Sequence, residues 1–241
     1  MEFDLEGLTD VSEKGAPRDG TPQVLDRRLF MQLLVFGGCR DSFRLIKELE
    51  DSGIESVLYE DLNGPHGVGL LTMSEEPEFF VTELRKFLNR DKFAELQLKH
   101  EYTMFGRTYG LGHEKDLEDW LLKRPRRVVK NPAWPWAVWY PLRRSGEFAL
   151  LDKKEQAEIL GEHGTIGRAF GEADLGHDIR LASFGLDRND NDFVIGLIGK
   201  DLHPLSMLVQ AMRGTRQTST YIERMGPFFV GRAIWRASTA E

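Results

Sequence analysis

One histidine stands out among the side chains that could take part in a reaction. His163 lies in a stretch with helical spacing and has three glycines close to it, at Gly161, Gly164 and Gly167. Glycine inside a helix costs up to about 1 kcal/mol relative to alanine, so this density of glycine indicates the close approach of a bulky, flat ligand. A neutral imidazole at that place could hold an iron centre through one axial bond. The alternative is a core histidine with a satisfied hydrogen bond.

Aromatic rings followed by two arginines form a second candidate cluster. Residues 134–144 read WPWAVWYPLRR. Indole and phenol rings can line a flat slot, and Arg143 and Arg144 would give that slot a cationic mouth able to hold carboxylates. A tyrosine that faces a redox centre, as Tyr140 would, can also carry a radical. The alternative is a core strand that ends in solvated arginines.

Other catalytic signatures are absent from the sequence. It contains no paired Cys and His metal ligands, Walker loop, dinucleotide-binding glycine fingerprint or nucleophile elbow. None of its six histidines is paired at the i,i+4 spacing of a zinc-binding helix.

The charge of the chain argues against a general nucleic-acid binder. The 241 residues carry a net charge of −7, whereas affinity for nucleic acid comes chiefly from Lys and Arg side chains that neutralise phosphates. The first 120 residues contain 25 acidic and 14 basic side chains, and the others contain 14 and 18. An anionic ligand would therefore prefer the second half.

The same composition predicts a cytoplasmic protein without a membrane span. Cys39 is the only cysteine and cannot form an internal disulfide. The first twenty residues are acidic, unlike a secretory signal. No apolar stretch approaches the roughly 18 to 20 residues of a spanning helix.

Hydrophobic periodicity predicts an element order that occurs twice. Residues 1–25 are rich in Asp, Glu, Gly and Pro and predict a flexible N-terminal arm. The first repeat, 26–123, has predicted strands at 28–38, 56–62, 68–73 and 98–105 and helices at 40–51 and 76–89. After an acidic helix at 116–122 and a linker at 124–135, the second repeat, 136–241, has predicted strands at 136–142, 179–186, 193–198 and 227–235 and helices at 153–170 and 205–212.

Each copy has the order β-α-β-β-α-β of a ferredoxin-like unit, which gives an α+β fold class. Two such sheets can pack their open faces together into a dimeric α+β barrel within one chain, and we expect its interior to be a ligand cavity. The alternative is two independent domains joined by a plain linker.

Four ordered segments carry a resemblance to a known family. They read YPLRR at 140–144, HGTIGR at 163–168, GLD at 185–187 and GPFFVG at 226–231. Together they resemble the chlorite dismutase superfamily, and most of all its coproheme decarboxylase branch. The likeness covers about 110 residues of the C-terminal half, and the N-terminal half only through the repeated element order.

The resemblance implies a haem protein that assembles as a homopentamer. Haem b or iron coproporphyrin III would bind in the second repeat with His163 as the axial iron ligand, and the first repeat would bind none. The decarboxylase branch, the peroxide-dependent haem synthases, converts two propionates of iron coproporphyrin III (coproheme) into vinyl groups at the expense of hydrogen peroxide.

The resemblance also implies roles for other side chains. Tyr140 falls where the branch keeps its radical-forming tyrosine, and Arg144 where it keeps a basic residue against a propionate. Further candidates lie in regions that contact propionates in relatives: Arg126, Arg127, Tyr109 and Thr218.

The strand before the GLD segment departs from the family pattern. Chlorite-splitting members hold an arginine above the iron there, and peroxide-using relatives a glutamine. Counting back from Gly185 puts Asp178 at that place, and Arg180 lies on the same face by the two-residue strand period. Both are candidate catalytic residues, and an anionic Asp178 would repel chlorite.

Three functions therefore stay open. Tyr140 favours coproheme decarboxylation. Arg180 is consistent with a chlorite dismutase or a general haem peroxidase. The unusual strand before the GLD segment allows a haem carrier or sensor without turnover.

Overall fold

The computed structural model describes Gly7 and residues 9–238 of the chain. The strands are β1 (Glu13–Arg18), β2 (Thr21–Leu25), β3 (Phe30–Gly37), β4 (Ser56–Asp61), β5 (Val68–Ser74), β6 (Gln97–Leu98), β7 (Met104–Arg107), β8 (Trp136–Arg144), β9 (His177–Ala182), β10 (Phe193–Gly199), β11 (Ile222–Met225) and β12 (Phe229–Arg236). The α-helices are α1 (Ser42–Ser52), α2 (Glu78–Val81), α3 (Glu83–Leu88), α4 (Asp91–Ala94), α5 (Arg124–Lys130), α6 (Gly146–Leu150), α7 (Lys153–Glu172), α8 (Leu202–Arg213) and α9 (Arg216–Tyr221).

The two repeats have the same strand order. The first forms an antiparallel sheet ordered β7-β3-β5-β4, and the second one ordered β12-β8-β10-β9. In each sheet the first and third strands of the repeat lie in the centre and the second and fourth at the edges. This arrangement confirms the predicted ferredoxin-like units.

The sheets join at both edges into one closed barrel. β4 pairs with β12 from Asp61 opposite Gly231 to Val57 opposite Arg236, and β7 meets β9 at Arg107 opposite Ala182. Both seams link one repeat to the other, so the barrel predicted within a single chain is confirmed. The alternative of two independent domains does not hold.

The barrel interior is filled with side chains, and the expected ligand cavity inside it is wrong. A barrel of about eight strands encloses a space just wide enough for side chains to fill. The indole of Trp139 occupies much of it, and a Cβ at Gly196 on the next strand would lie 2.5 Å from the ring. Other buried side chains of this core are Met31, Leu33, Tyr59, Leu71, Ile179, Leu181 and Phe229.

The helices cover the outside of the barrel, and strand alternation decides which side chains meet them. On β8, Ala137 and Trp139 point inward, whereas Val138, Tyr140 and Leu142 point outward to the cluster formed with α7 and α8. Tyr140 therefore lies on the opposite side of the sheet from Trp139. Within the described part of the chain, no helix is both long and apolar enough to span a bilayer.

Part of the predicted N-terminal arm is a β-hairpin formed by β1 and β2. The carboxylate of Glu13 accepts hydrogen bonds from Arg107 at 2.9 Å and from the Gly110 amide at 2.8 Å. The side chain of Gln23 accepts one from the Leu117 amide at 3.1 Å. These partners are far away along the sequence, so local composition does not reveal them. Residues 1–6 and 8 of the predicted arm lie outside the described residues.

The predicted linker 124–135 is also partly regular, because it contains α5. A π-helical turn, Asp119–Lys123, runs directly into this helix. Pro125 lies in the first turn, where its missing N–H costs no helical hydrogen bond. Val128 and Val129 are buried against the barrel core. The segment is thus a packed part of the barrel.

Candidate functional site

Three strands of the second repeat present a common outward face. Tyr140 on β8, Ile195 on β10 and Arg180 on β9 lie opposite one another in register. Because neighbouring strands are about 4.8 Å apart, this row spans about 10 Å. The adjacent row consists of Val138, Leu197 and Asp178. The face is an apolar floor with a phenol at one side and charged groups at the other.

Helix α7 contacts this floor through the part-buried side chains of Ile166 and Phe170. Asp152 caps the start of the helix, because its carboxylate accepts a hydrogen bond from the Glu155 amide at 2.8 Å. Only Ile159 of its 20 residues is buried. The helix therefore covers the floor with few fully buried side chains.

The three glycines near His163 do not all lie on the same face of α7 as this histidine. At 100° per residue, Gly167 lies on the face of His163, whereas Gly161 lies almost opposite to it. A Cβ at Gly167 would come 3.7 Å from the methyl carbon of Met212, and a Cβ at Gly161 would meet nothing within 4 Å. The predicted ligand approach remains a prediction for Gly167, and Gly161 needs another reason.

The tautomer of His163 follows from its hydrogen bond. Its Nδ1 lies 2.9 Å from Oγ1 of Thr215, and that hydroxyl donates to the Met212 carbonyl at 2.8 Å. Because a hydroxyl has one hydrogen, Thr215 must accept from Nδ1–H. The proton is therefore assigned to Nδ1, and Nε2 keeps a free lone pair that could bind a metal.

His163 is neutral at neutral pH. Burial, followed by the charges of Arg144 and Arg180, lowers the pKa of His163 from 6.5 to about 4. Both guanidiniums are thus close enough to act on the imidazole across the site. The neutral ring is the form that coordinates metal ions.

Arg144 is a half-buried cation whose side chain forms no salt bridge among the described residues, although the charge of Asp192 acts on it. Its guanidinium lies over the rings of Phe148, at 4.3 Å, and Phe193, at 4.9 Å. Its buried Nε has no hydrogen-bond acceptor in the described part of the chain, and burial lowers the pKa of Arg144. Such an orphaned donor fits a carboxylate brought by a ligand.

Tyr140 is 4% exposed and stacks on Phe228 with ring centroids 4.5 Å apart. Burial, with a smaller effect of Asp178, raises the pKa of Tyr140 above its ordinary value. The phenol is therefore protonated at neutral pH.

Asp178 is an anion that forms ion pairs with two arginines. Its Oδ2 lies 2.8 Å from Nε of Arg180, and its Oδ1 accepts a hydrogen bond from Arg124 at 3.1 Å. Although burial raises the pKa of Asp178, the two arginines outweigh burial and lower it. The carboxylate charge is compensated, so the argument that it repels chlorite fails in its simple form. Arg180, and not Asp178, shares the row of Tyr140.

Two other predicted contacts lie at the edges of the site. The pKa of the Tyr109 phenol is raised by burial, and Arg180 and Arg144 partly offset this rise, so the phenol faces both guanidiniums. Thr218 lies on α9, with its hydroxyl 3.5 Å from that of Thr215. It therefore belongs to the side of the site that holds His163.

The structure does not bring Arg126 and Arg127 into this group. Arg126 pairs with Glu55 at 3.0 Å and Glu75 at 3.4 Å, and Arg127 pairs with Asp119. With Arg124, Trp134 and His177, these arginines line a groove of about 440 Å³ beside α5. They remain candidates only for that groove.

Sequence reasoning missed Thr215, Trp120 and Arg124. Thr215 caps α9, and a threonine directly before a helix is a recognised capping signal. Trp120 and Arg124 have the i,i+4 spacing that puts two side chains on one helical face. Nothing local showed that this face would meet β9.

The donor set fits the iron porphyrin that the resemblance implies. Among the residues that the structure describes, no group of three or more His, Cys, Asp or Glu side chains could hold a metal ion. One imidazole with a free Nε2 is enough when a macrocycle supplies the remaining ligands. The orphaned Arg144 would meet a porphyrin carboxylate.

Comparisons with known proteins place this geometry in a family. Residues 77–234 match the family profile described as Chlorite dismutase. The coproheme decarboxylase of Oceanobacillus iheyensis is 27% identical over 198 residues, which cover 73% of this chain and 75% of that protein. Two solved structures share the fold, each aligned over 87% of this chain and 92% of the other. One is a haem-binding protein from Thermus thermophilus, with 19% sequence identity and a TM-score of 0.63. The other is the imidazole complex of chlorite dismutase from Candidatus Nitrospira defluvii, with 16% sequence identity and a TM-score of 0.66. The profile covers well over half of the sequence, and the chain therefore belongs to the chlorite dismutase family.

Proposed function

We propose that this protein is a cytoplasmic haem-dependent oxidoreductase that converts coproheme into protohaem with hydrogen peroxide. The observation that carries the proposal is the pair of Tyr140 and Arg144 on one face of β8. One is a buried, protonated phenol, and the other is a half-buried guanidinium whose Nε has no hydrogen-bond acceptor among the described residues. Coproheme brings propionates that suit both. A coproheme decarboxylase is among the relatives of the chain.

The chain's own residues would bind and orient the porphyrin. His163 would hold the iron through Nε2, and the apolar floor around Ile195 and Leu197 would pack against the ring. Arg144, with Tyr109 beside it, would bind propionate through charge-assisted hydrogen bonds. When bound, the iron porphyrin supplies the two-electron chemistry with peroxide, and the protein supplies position and electrostatics.

Tyr140 would carry hydrogen between the iron site and a propionate. The phenol gives up an electron and a proton, and then takes a hydrogen atom from the propionate side chain. That side chain loses one further electron and carbon dioxide and becomes a vinyl group. For each propionate, hydrogen peroxide accepts the two electrons with two protons, one from the propionate and one from solvent, and leaves as two water molecules.

Anaerobic loading with ferric coproheme, followed by stepwise peroxide addition and mass spectrometry of the porphyrin, tests the proposal. We expect two successive losses of a carboxyl group, with the peroxide consumed rising in proportion. Bound coproheme that stays intact while peroxide is consumed would contradict decarboxylation. A protein that does not bind coproheme would contradict the whole proposal.

Tyr140→Phe separates binding from reaction. Phenylalanine keeps the ring that stacks on Phe228 but lacks the hydrogen of the phenol, so we expect coproheme affinity close to that of the parent. We expect the rate of vinyl formation to fall on the order of 100-fold, as for loss of a group that moves a proton in the reaction. Tyr102→Phe, in the first repeat, is the matched control and should change neither. Near-parental decarboxylation by Tyr140→Phe would remove Tyr140 from the mechanism.

A second candidate function is chlorite decomposition or general peroxidase activity. Arg180 supports it, because this guanidinium lies in the row of Tyr140 and acts on His163 across the site. Oxygen release from chlorite, measured with an oxygen electrode, at a rate above that of peroxide-driven decarboxylation would favour this function. A porphyrin that stays bound and inactive with both oxidants would favour a carrier or sensor.

A further inference from the structure

We propose that Asp178 determines which oxidant binds beside Arg180, by lowering the positive charge there so that a neutral hydroperoxide is favoured over a small oxyanion such as chlorite. The inference rests on the proposed function, because it places iron porphyrin between α7 and the outward face of β9. It also assigns Arg124 as a positioning residue that acts through Asp178.

The geometry of Asp178 is that of a carboxylate shared by two guanidiniums. Arg180 approaches one oxygen, with Nε 2.8 Å from Oδ2. Arg124 donates to the other oxygen at 3.1 Å and also to the backbone carbonyl of Asp178 at 2.8 Å. The carboxylate is therefore held from two sides and cannot turn away from Arg180 without breaking a bond.

An aromatic platform holds the same two cations. The guanidinium of Arg124 lies 4.8 Å and that of Arg180 5.3 Å from the ring centre of Trp120. The indole nitrogen of Trp120 donates to the Tyr109 carbonyl at 3.1 Å, which fixes the ring. A guanidinium over an indole is attracted to the ring face, so the platform limits the motion of Arg180.

Asp178 occupies one side of the Arg180 guanidinium and leaves the other N–H groups for a ligand. A guanidinium recognises an oxyanion best through two parallel N–H groups along one edge. The Nε side of Arg180 already faces Asp178. A ligand bound beside Arg180 would be left with the terminal nitrogens, which suit hydrogen bonds to a peroxide oxygen as well as to an anion.

The charge balance gives the direction of the effect. Two guanidiniums and one carboxylate have a net charge of one positive unit. Replacing Asp178 with Asn leaves two positive units beside the ligand, whereas replacing Arg124 with Gln leaves none. A neutral ligand gains or loses little from either change, because the interaction scales with the ligand's charge.

Azide and imidazole bound to the haem b-loaded ferric protein measure this charge. Their dissociation constants follow from changes in the Soret band at about pH 8, where azide is an anion and imidazole is mostly uncharged. We expect Asp178→Asn to bind azide about tenfold more tightly and Arg124→Gln about tenfold more weakly, with imidazole affinity within about threefold of the parent. Asp178→Glu keeps the charge and should restore the parental ratio of azide to imidazole affinity.

Asp190→Asn is the matched control. Asp190 also pairs with an arginine, Arg143, but its side chain is 77% exposed on the loop before β10. This variant should keep both affinities.

The outcomes distinguish failure of the proposed function from failure of this inference alone. Failure of the parent to bind haem overturns the proposed function and this inference with it. Normal haem binding with an unchanged azide affinity in Asp178→Asn overturns the inference alone. Far-UV circular dichroism checks the fold of each variant. If Asp178→Asn does not fold, Arg124→Gln decides, and an unchanged or tighter azide affinity in that variant overturns the role of the charge balance.

Discussion

The partner of His163 is a neutral hydroxyl, and this partner would affect how strongly the imidazole donates to the iron in the proposed site. A carboxylate acceptor would pull the Nδ1 proton away and give the ring the character of an imidazolate. Thr215 instead accepts a hydrogen bond at 2.9 Å while its own hydrogen is used by the Met212 carbonyl. The imidazole thus stays neutral, with its orientation fixed by the residue that caps α9.

Thr215→Val should remove the preference of His163 for a single neutral tautomer. Valine keeps the shape of threonine and removes the acceptor, so Nδ1–H and Nε2–H forms should both be populated. Nitrogen-15 NMR of labelled histidine in the haem-free protein detects the mixture directly. We expect haem affinity to fall about 10- to 100-fold, the usual effect of losing a ligand's outer hydrogen bond. Thr215→Ser should keep one tautomer, and an unchanged spectrum in the valine variant would show that another group orients the ring.

Arg144→Gln should weaken coproheme more than protohaem. A charge-assisted hydrogen bond is worth roughly 1.5 to 3 kcal/mol, which corresponds to about 10- to 100-fold in affinity. Coproheme has four propionates and protohaem two, so the loss should be larger for coproheme. Arg143→Gln is the control on the neighbouring residue, because Arg143 already pairs with Asp190 and Glu223. Equal losses for the two porphyrins would remove Arg144 from propionate recognition.

At the scale of elements, substitutions on the two faces of α7 should have different effects on haem binding. Gly167→Leu places a side chain on the face of His163, next to Met212, where the porphyrin would lie. We expect at least about tenfold weaker haem binding, because overpacking of this kind costs about 1 to 3 kcal/mol. Gly161→Leu puts the same side chain on the opposite face and should leave haem binding unchanged.

Urea unfolding of the haem-free variants is the control for this prediction. Similar midpoints for Gly167→Leu, Gly161→Leu and the parent would show that the fold is intact. Unchanged haem affinity in Gly167→Leu would move the porphyrin away from this face.

Periodicity along the sequence predicted the elements that position the site. The two-residue period of β8 separates Tyr140 from Trp139, and the helical spacing of α7 carries His163, because both patterns are local. The row of Tyr140, Ile195 and Arg180 depends on strand register, which local patterns do not contain. The hairpin of β1 and β2 escaped prediction for the same reason, since its bonds reach distant parts of the chain.

The filled barrel also follows from pairing across strands. Trp139 fits inside only because Gly196 on β10 has no side chain at that point. A list of apolar residues predicts a core but cannot tell whether a large ring faces a glycine or another large ring. That information lies in the three-dimensional register.

At the scale of the whole molecule, the repeats share a fold but differ on their outer faces. In the first repeat, Leu45 and Leu49 of α1 are fully buried against the sheet together with Phe36 and Phe93. Helix α7 in the second repeat buries only Ile159. The counterpart of the candidate site is therefore closed by packing.

We accordingly expect one haem per chain. Titration of the protein with haem, followed in the Soret band, should saturate at one equivalent, because α1 has neither space nor an axial ligand. His163→Ala should lose axial ligation and tight binding, whereas His203→Ala on α8 should bind like the parent. Two equivalents, or an unchanged Soret band in His163→Ala, would contradict the assignment.

The two seams of the barrel have a consequence for synthesis on the ribosome. When the first repeat has emerged as far as Arg107, its edge strands β4 and β7 have no neighbour on their outer sides, and each exposes a row of unpaired backbone groups. β9 covers one edge, but the other waits for β12, which begins only at Phe229. The nascent chain is thus open to aggregation through the β4 edge until the whole second repeat up to β12 has been made. Slow translation of the second repeat should therefore harm this protein through the exposed edge of its first repeat.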